Sequence, residues 1–154
     1  MSTAVFNIRV YGLYINENDE LLITDEYRLN MNMTKFPGGG LKFGESTRDG
    51  LKRECQEELH QEVEILDHFY TTDFFQESFS FPNRQLISIY YFIKPVGELK
   101  VEIVKNAFDY TQNVDGPQCF RFIPLSQITE NDVSFPIDKK VVSLLKKYYS
   151  ERKN

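Results

Sequence analysis

Acidic side chains are concentrated at one place in the chain, with a spacing that suggests metal chemistry. Glu54, Glu57 and Glu58 place three carboxylates within five residues, and residues 38–40 upstream of them are all glycine. Carboxylates this close repel one another unless a cation neutralises them, and oxygen ligands suit Mg2+ or, as an alternative, Mn2+. Mg2+ is usually held by few carboxylates together with substrate phosphates. The cluster therefore predicts a metal site that handles phosphate.

The acids are expected to lie on a helix over residues 46–59, with Ser46 as its N-cap. Leu51, Cys55 and Leu59 recur at every fourth position and form an apolar stripe. At about 100° per residue, the three carboxylates project to one side, next to this stripe. The helix can then pack its stripe into a core while holding its acids at the edge of a cleft.

A solvated acidic face is the ordinary explanation for the pattern E-x-x-E-E on a helix. Here the glycines precede the acids at a fixed distance, and Glu45 and Arg53 lie between them. We expect these two side chains to form an ion pair that ties the loop to the helix. The combination is more specific than any of its parts, which favours the functional interpretation.

Residues 39–61, GGLKFGESTRDGLKRECQEELHQ, resemble the Nudix box G-x5-E-x7-R-E-U-x-E-E-x-G-U, where U is a bulky aliphatic residue. Three positions depart from the pattern. Cys55 replaces an aliphatic residue, a mild change because a buried cysteine behaves as a small hydrophobe. His60 stands where glycine is usual and Gln61 where an aliphatic residue is usual. The glycine position is typical of a helix C-cap that needs a positive φ, so we expect His60 to be a cap or a surface residue rather than a catalytic or metal-binding one.

The resemblance implies a Nudix-type α/β/α sandwich, an α/β (α+β) fold with a mixed central sheet. It also implies hydrolysis of a diphosphate bond in a nucleoside diphosphate linked to another moiety. By position, Glu54, Glu57 and Glu58 correspond to the metal-binding and catalytic acids, and one of them could instead deprotonate the attacking water. Gly38 corresponds to a backbone-carbonyl metal ligand.

A further acid often comes from a loop before a later strand in proteins that resemble this one. Asp115 is the candidate for this catalytic role, with Glu98, Glu102 and Asp109 as competitors. A plain turn aspartate before Gly-Pro is the alternative explanation for Asp115.

Composition limits the classes of function. The 154 residues suit a single domain, 1–154, and the net charge of -5 argues against a broad basic nucleic-acid surface. We therefore expect a nucleotide-type small-molecule substrate and no extended nucleic acid, and we leave a homodimer open. The sequence shows no signal peptide and no membrane-spanning stretch, and Cys55 and Cys119 lack metal-ligand spacing, so a reducing, cytoplasmic location is predicted.

Seven segments are expected to form strands, with the almost continuously apolar segment 85–93 at the centre of a sheet. They are residues 4–15, 21–23, 32–36, 63–72, 85–93, 98–104 and 119–125. A last amphipathic helix is expected to begin near Pro136. Four phenylalanines lie between two of the strands, and they could stack on a substrate ring or fill a core under a loop: Phe74, Phe75, Phe79 and Phe81. Arg84 could contact phosphate, although an exposed loop arginine is the ordinary expectation.

Two other classes of function compete with the metal-dependent hydrolase. A catalytically silent Nudix-fold module could sense a nucleotide, but such modules usually lose acids that this chain keeps. An isomerase on the same fold would need a cysteine or another acid–base group in its pocket. Cys55 is predicted to face the core, which argues against that class. Nothing in the sequence identifies the leaving group.

Overall fold

The computed structural model describes residues 3–111 and 117–153, which form strands and helices in two compact units. The elements are β1 Val5–Leu13, β2 Glu20–Arg28, β3 Met31–Lys35, β4 Gly38–Gly40, α1 Thr47–Leu59, β5 Val63–Thr71, β6 Arg84–Pro95, β7 Gln118–Pro124, a 3-10 helix at Glu130–Asp132, and α2 Pro136–Lys153. The predicted mixture of strands and helices is confirmed, with the strands divided between two sheets.

The first unit contains the residues up to Leu13 and Pro37–Leu99. Its sheet has the strand order β4-β1-β6-β5 and is mixed, because β1 runs parallel to β6 while the other pairs are antiparallel. β6 has a neighbour on each side, as its continuous apolar sequence predicted. The helix α1 packs in this unit and buries its predicted stripe of Leu51, Cys55 and Leu59.

The ends of α1 follow from local chemistry. Ser46 caps the first turn, since its hydroxyl accepts a hydrogen bond from the backbone N–H of Asp49 at 3.0 Å. His60 ends the helix in the left-handed conformation, with φ 52° and ψ 38°, as predicted for the position where glycine is usual. Gln61 is fully buried, and its amide donates to the carbonyl of Val96 at 3.0 Å. The Gln61 amide therefore has a hydrogen-bond partner, although it is buried at a position where an aliphatic residue is usual.

The second unit contains Tyr14–Phe36 and the described residues from Lys100 onward. Its sheet is antiparallel, with the order β3-β2-β7. Asp25 is buried, which alone would raise the pKa of its carboxyl group. Hydrogen bonds from Arg121 at 2.6 Å and from Thr34 at 2.6 Å outweigh burial and hold that pKa below its ordinary value. A further bond to Asp25, from the backbone N–H of Phe108 at 3.2 Å, ties residues after β6 to this sheet.

Two of the predicted strands differ from the structure. The prediction of a strand at residues 98–104 is wrong, because Ile103 forms only an isolated β-bridge to Phe120. Its weak alternation supplied too few apolar side chains to bury one face of a strand. β2 is longer than the predicted residues 21–23, because its buried polar residues find partners on neighbouring strands, as Asp25 does. None of the helices in the described ranges is long and apolar enough to cross a bilayer. The cytoplasmic location stays a prediction.

The left-handed backbone at His60 makes a testable difference between two small substitutions. We expect His60→Gly to be more stable than His60→Ala by about 1 kcal/mol, because only glycine adopts this conformation without a steric cost. Both variants remove the imidazole, so their difference reports the backbone alone. Urea unfolding of the two proteins measures it, and an alanine variant of equal or greater stability would contradict the assignment of strain.

Candidate active site

Three glycines bring the backbone of β4 close to the acids of α1. A Cβ on Gly39 would lie 2.6 Å from an oxygen of the Glu54 carboxylate, which is closer than real Cβ atoms come to any neighbour. Gly38 has φ +145°, and its N–H donates to the Glu58 carboxylate at 3.1 Å. Gly39 is therefore required by this approach, and the backbone of Gly38 and Gly39 lies against two of the acids.

Arg53 connects the loop to the acidic helix through all five of its N–H groups. It donates two bonds to Glu45, at 2.6 and 3.0 Å, and one to the carbonyl of Gly40 at 3.0 Å. Its remaining two bonds reach Glu54 at 2.9 Å and Glu57 at 3.2 Å. The predicted pair of Glu45 and Arg53 is confirmed. It is part of a larger network that also includes two of the candidate metal ligands.

The charges of the ion pair stabilise each other. Hydrogen bonds from Arg53 lower the pKa of the Glu45 carboxyl to about 2, and the backbone N–H of Lys42 contributes a further bond at 2.7 Å. The hydrogen bonds to Glu45 raise the pKa of Arg53 in turn. Glu45 is therefore ionised at neutral pH and fixes the turn that leads into α1.

All three candidate acids lie on the side of α1 that Arg53 and the glycines occupy. Glu54 contacts Gly39 and Arg53, and Glu58 accepts a hydrogen bond from Gly38. Glu57 accepts from Arg53 and keeps 55% of its side chain exposed. Their arrangement as a metal site stays a prediction.

The donor set fits a hard divalent cation, since it offers carboxylate oxygens beside a backbone that approaches them closely. Within residues 3–111 and 117–153, however, no group of three or more His, Cys, Asp or Glu side chains is already arranged around a common metal position. Arg53 donates to two of the three carboxylates instead. Residues Glu54, Glu57 and Glu58 would have to turn part of their oxygens toward a cation when it binds.

Cys55 does not belong to this reactive surface. Its side chain is fully buried, and burial followed by the carboxylates of Glu58 and Glu54 raises the pKa of its thiol to about 12. A thiol with this pKa stays protonated at neutral pH and is a poor acid–base group. The predicted core position is confirmed, which removes the cysteine that an isomerase of this fold would need.

The other predicted site residues are more scattered. Asp115 lies outside the described residues. Glu98 belongs to the first unit, whereas Glu102 and Asp109 belong to the second, where Thr111 hydrogen bonds lower the pKa of Asp109. Arg84 begins β6, with its guanidinium 5.0 Å from the centre of the Phe81 ring.

The aromatic segment between β5 and β6 is exposed. Core filling was one of its two interpretations and is wrong, because all four side chains remain accessible: Phe74, Phe75, Phe79 and Phe81. Stacking on a substrate ring stays a prediction.

One contributor to the site was missed from the sequence. A Cβ on Gly50 would lie 2.5 Å from the Leu41 side chain and 2.9 Å from a Glu45 oxygen. This glycine therefore makes room for the carboxylate that accepts from Arg53. An isolated glycine inside a predicted helix was the available signal for such a close approach.

The shifted pKa of Glu45 predicts how stability responds to acid. Because its folded pKa of about 2 is below the unfolded value of 4.5, the stabilisation is complete above pH 4.5 and is lost as pH falls toward 2. Glu45→Gln should lower stability most at neutral pH, and its difference from the wild type should shrink in acid. Urea midpoints between pH 2 and pH 6 measure this, with exposed Glu64→Gln as the control. A pH-independent difference would contradict it.

Comparisons with known proteins place these features in a family. A sequence model of the NUDIX domain matches residues 5–145. No curated protein matches the chain at a significant level.

Solved structures share the fold. The solution structure of the E. coli ORF135 protein is 15% identical with a TM-score of 0.73, covering 96% of this chain and 93% of that one. A Nudix hydrolase from Nitrosomonas europaea is 19% identical with a TM-score of 0.65, covering 99% and 74%. A UDP-X diphosphatase is 14% identical with a TM-score of 0.64, covering 99% and 66%. At these identities the structural matches show the fold alone.

The family match extends over both compact units and includes the whole segment 39–61. It confirms the resemblance that was drawn from this segment, and the two sheets and two helices match Nudix hydrolase structures. The chain belongs to the Nudix family and is a Nudix pyrophosphohydrolase, an enzyme that hydrolyses phosphoric anhydrides.

Proposed function

We propose that the protein hydrolyses the diphosphate bond of a nucleoside diphosphate linked to another moiety, in a reaction that depends on Mg2+, with Mn2+ as a substitute. The observation that supports this most is the Arg53 network, which gathers Glu54 and Glu57 next to the glycine loop that positions Glu58. One structural neighbour is a UDP-X diphosphatase, and UDP-X is a nucleoside diphosphate linked to another group, which supports this substrate class.

The proposed cation ligands are Glu54, Glu57, Glu58 and the carbonyl of Gly38. A divalent cation, when bound, polarises phosphate oxygens, lowers the pKa of water and neutralises the leaving group. The protein's own contribution is orientation. Arg53 restrains Glu54 and Glu57, while the Gly38 N–H restrains Glu58, so that the carboxylates are held near one another before substrate arrives.

The proposed reaction is attack of a water oxygen on one phosphorus of the diphosphate. The new P–O bond forms as the bond to the bridging oxygen breaks, and the water proton passes to a carboxylate of the acidic cluster or to solvent. Two phosphate products result. We propose Asp115 as a further acid for this step. We also propose that residues 1–154 form a single catalytic domain, because one family match spans residues 5–145 across both units.

The acids are tested by turnover on a panel of diphosphate compounds with Mg2+. We expect Glu57→Gln and Glu58→Gln to lower kcat at least about 100-fold, because each removes a negative charge from the proposed metal and proton-transfer site. Glu64→Gln removes the same charge from an exposed position on β5 and should leave kcat unchanged. If both cluster variants retain full turnover, the site assignment is wrong. Tight nucleotide binding by a wild type that cleaves nothing would favour the sensor function.

Alanine substitutions of two neighbouring glycines test the close approach of β4 to α1. Gly39→Ala places a methyl group against the Glu54 carboxylate and should lower kcat about 100-fold by displacing that acid. Gly40→Ala is the matched control, because its Cβ would meet only the Arg9 guanidinium at 3.8 Å, an ordinary contact. Equal activities of the two variants would contradict the proposed role of Glu54. Melting temperatures show whether both proteins remain folded.

A further inference from the structure

The two edges of the first sheet differ in how well they are protected. β5 forms one edge, and its pairing with β6 shifts register between Ile65 and His68 and again between His68 and Tyr70. It also carries the exposed charges of Glu64 and Asp67. Irregular pairing and charged side chains are the usual protection of an edge strand against pairing with another chain.

The opposite edge lacks this protection. β4 covers β1 only along Arg9–Tyr11, and the N–H of Leu41 extends the contact to the carbonyl of Ile8 at 2.8 Å. Beyond that point, the described residues place no strand beside Val5–Asn7 on the side away from β6. Residues 4–8 contain no proline and no charged side chain, and the pairing of Val5–Ile8 with β6 is regular.

The backbone of this segment points hydrogen-bonding groups toward the uncovered side. The N–H of Val5 donates to Asn83 on the β6 side, whereas the Ile8 carbonyl and the Gly12 N–H bond toward β4. Because the bonding direction alternates along a strand, the N–H and C=O groups of Ala4 and Phe6 also point to the β4 side. These N–H and C=O groups can form backbone hydrogen bonds with a further strand.

Apolar side chains surround the same edge. Phe6 is 65% exposed, and Ile8, two residues on and therefore on the same face, is also exposed. Phe43 follows Leu41 by two residues and is fully exposed. Large apolar groups next to an uncovered strand edge indicate a surface that is covered in the functional assembly.

We propose that this edge of β1 pairs antiparallel with the same edge of a second copy, forming a two-fold symmetric dimer. A two-fold axis at Val5 sets Ala4 and Phe6 of one copy opposite Phe6 and Ala4 of the other. The outward groups then bond reciprocally, as an isologous interface requires.

Side-chain sizes agree with that register. Each Phe6 lies across from the small Ala4 of the other copy, and the two Val5 side chains meet at the axis on the opposite face. Phe6 and Phe43 of two copies offer roughly 600 Å² of aromatic surface, about half of the smallest stable interface. The remaining area would come from the strands and from the loop that precedes Glu45.

Sedimentation velocity of the full chain between 1 and 100 µM tests the pairing. The wild type should be a dimer in this range, and Phe6→Lys should raise the dimer dissociation constant at least about 100-fold, because it buries a charge on the edge. Leu66→Lys introduces the same charge on β5, at the opposite edge of the sheet, where Leu66 is 41% exposed, and it should dimerise like the wild type. A monomeric wild type, or unchanged dimerisation of Phe6→Lys, would overturn the proposal.

A second variant separates strand pairing from apolar contact. Ala4→Pro removes one outward N–H and leaves Phe6 in place, so it should also weaken the dimer at least about tenfold. Circular dichroism confirms that the variant is folded. If folded Ala4→Pro dimerises as tightly as the wild type, pairing through the β1 edge is wrong. This variant also decides the outcome if Phe6→Lys fails to fold.

Discussion

The guanidinium group of Arg53 is the interaction on which the rest of the site depends. Its five N–H groups all have acceptors, which belong to the loop, to Glu45 and to two acids of the helix. One planar cation therefore fixes the entry to α1 and offsets the repulsion between neighbouring carboxylates. In this arrangement the protein supplies its own positive charge to a cluster that would otherwise destabilise the helix carrying it.

Glycine supplies the second constraint, since the loop must approach the helix more closely than any side chain would allow. Gly39 lies against the Glu54 carboxylate, and Gly50 makes room for Glu45 from the helix side. These positions explain why a glycine inside a helix is tolerated despite its cost of up to about 1 kcal/mol. Glycines therefore shape the Arg53 network as much as charged side chains do, and the proposed cation ligands lie beside the glycine backbone.

Much of this arrangement could be predicted from the sequence because it is local. The α1 bounds, the Ser46 cap, the buried stripe and the Glu45–Arg53 pair lie within a short segment, where helical periodicity determines which side chains meet. The left-handed turn at His60 was predictable from a missing glycine. The contacts of Arg53 with Glu54 and Glu57 were not, because side-chain rotamers decide among several nearby acceptors.

Features that depend on distant residues were harder to predict. β2 continues through buried Asp25 because Arg121, far along the chain, donates a hydrogen bond to its carboxylate. No local sequence pattern identifies Arg121 as that partner. The segment 98–104 was predicted as a strand from alternation alone, which does not show whether a neighbour is available. The aromatic segment after β5 was ambiguous for the same reason, because the sequence alone does not show whether its phenylalanines are buried or exposed.

The proposed chemistry requires that Glu54, Glu57 and Glu58 form a site for a divalent cation. Titration with Mn2+, followed by the electron paramagnetic resonance signal of the free ion, tests this requirement without a substrate. We predict saturable binding by the wild type, and binding weakened at least about tenfold in a folded variant that combines Glu54→Gln with Glu58→Gln. Equal Mn2+ binding by the two proteins, or no binding by the wild type, would contradict it.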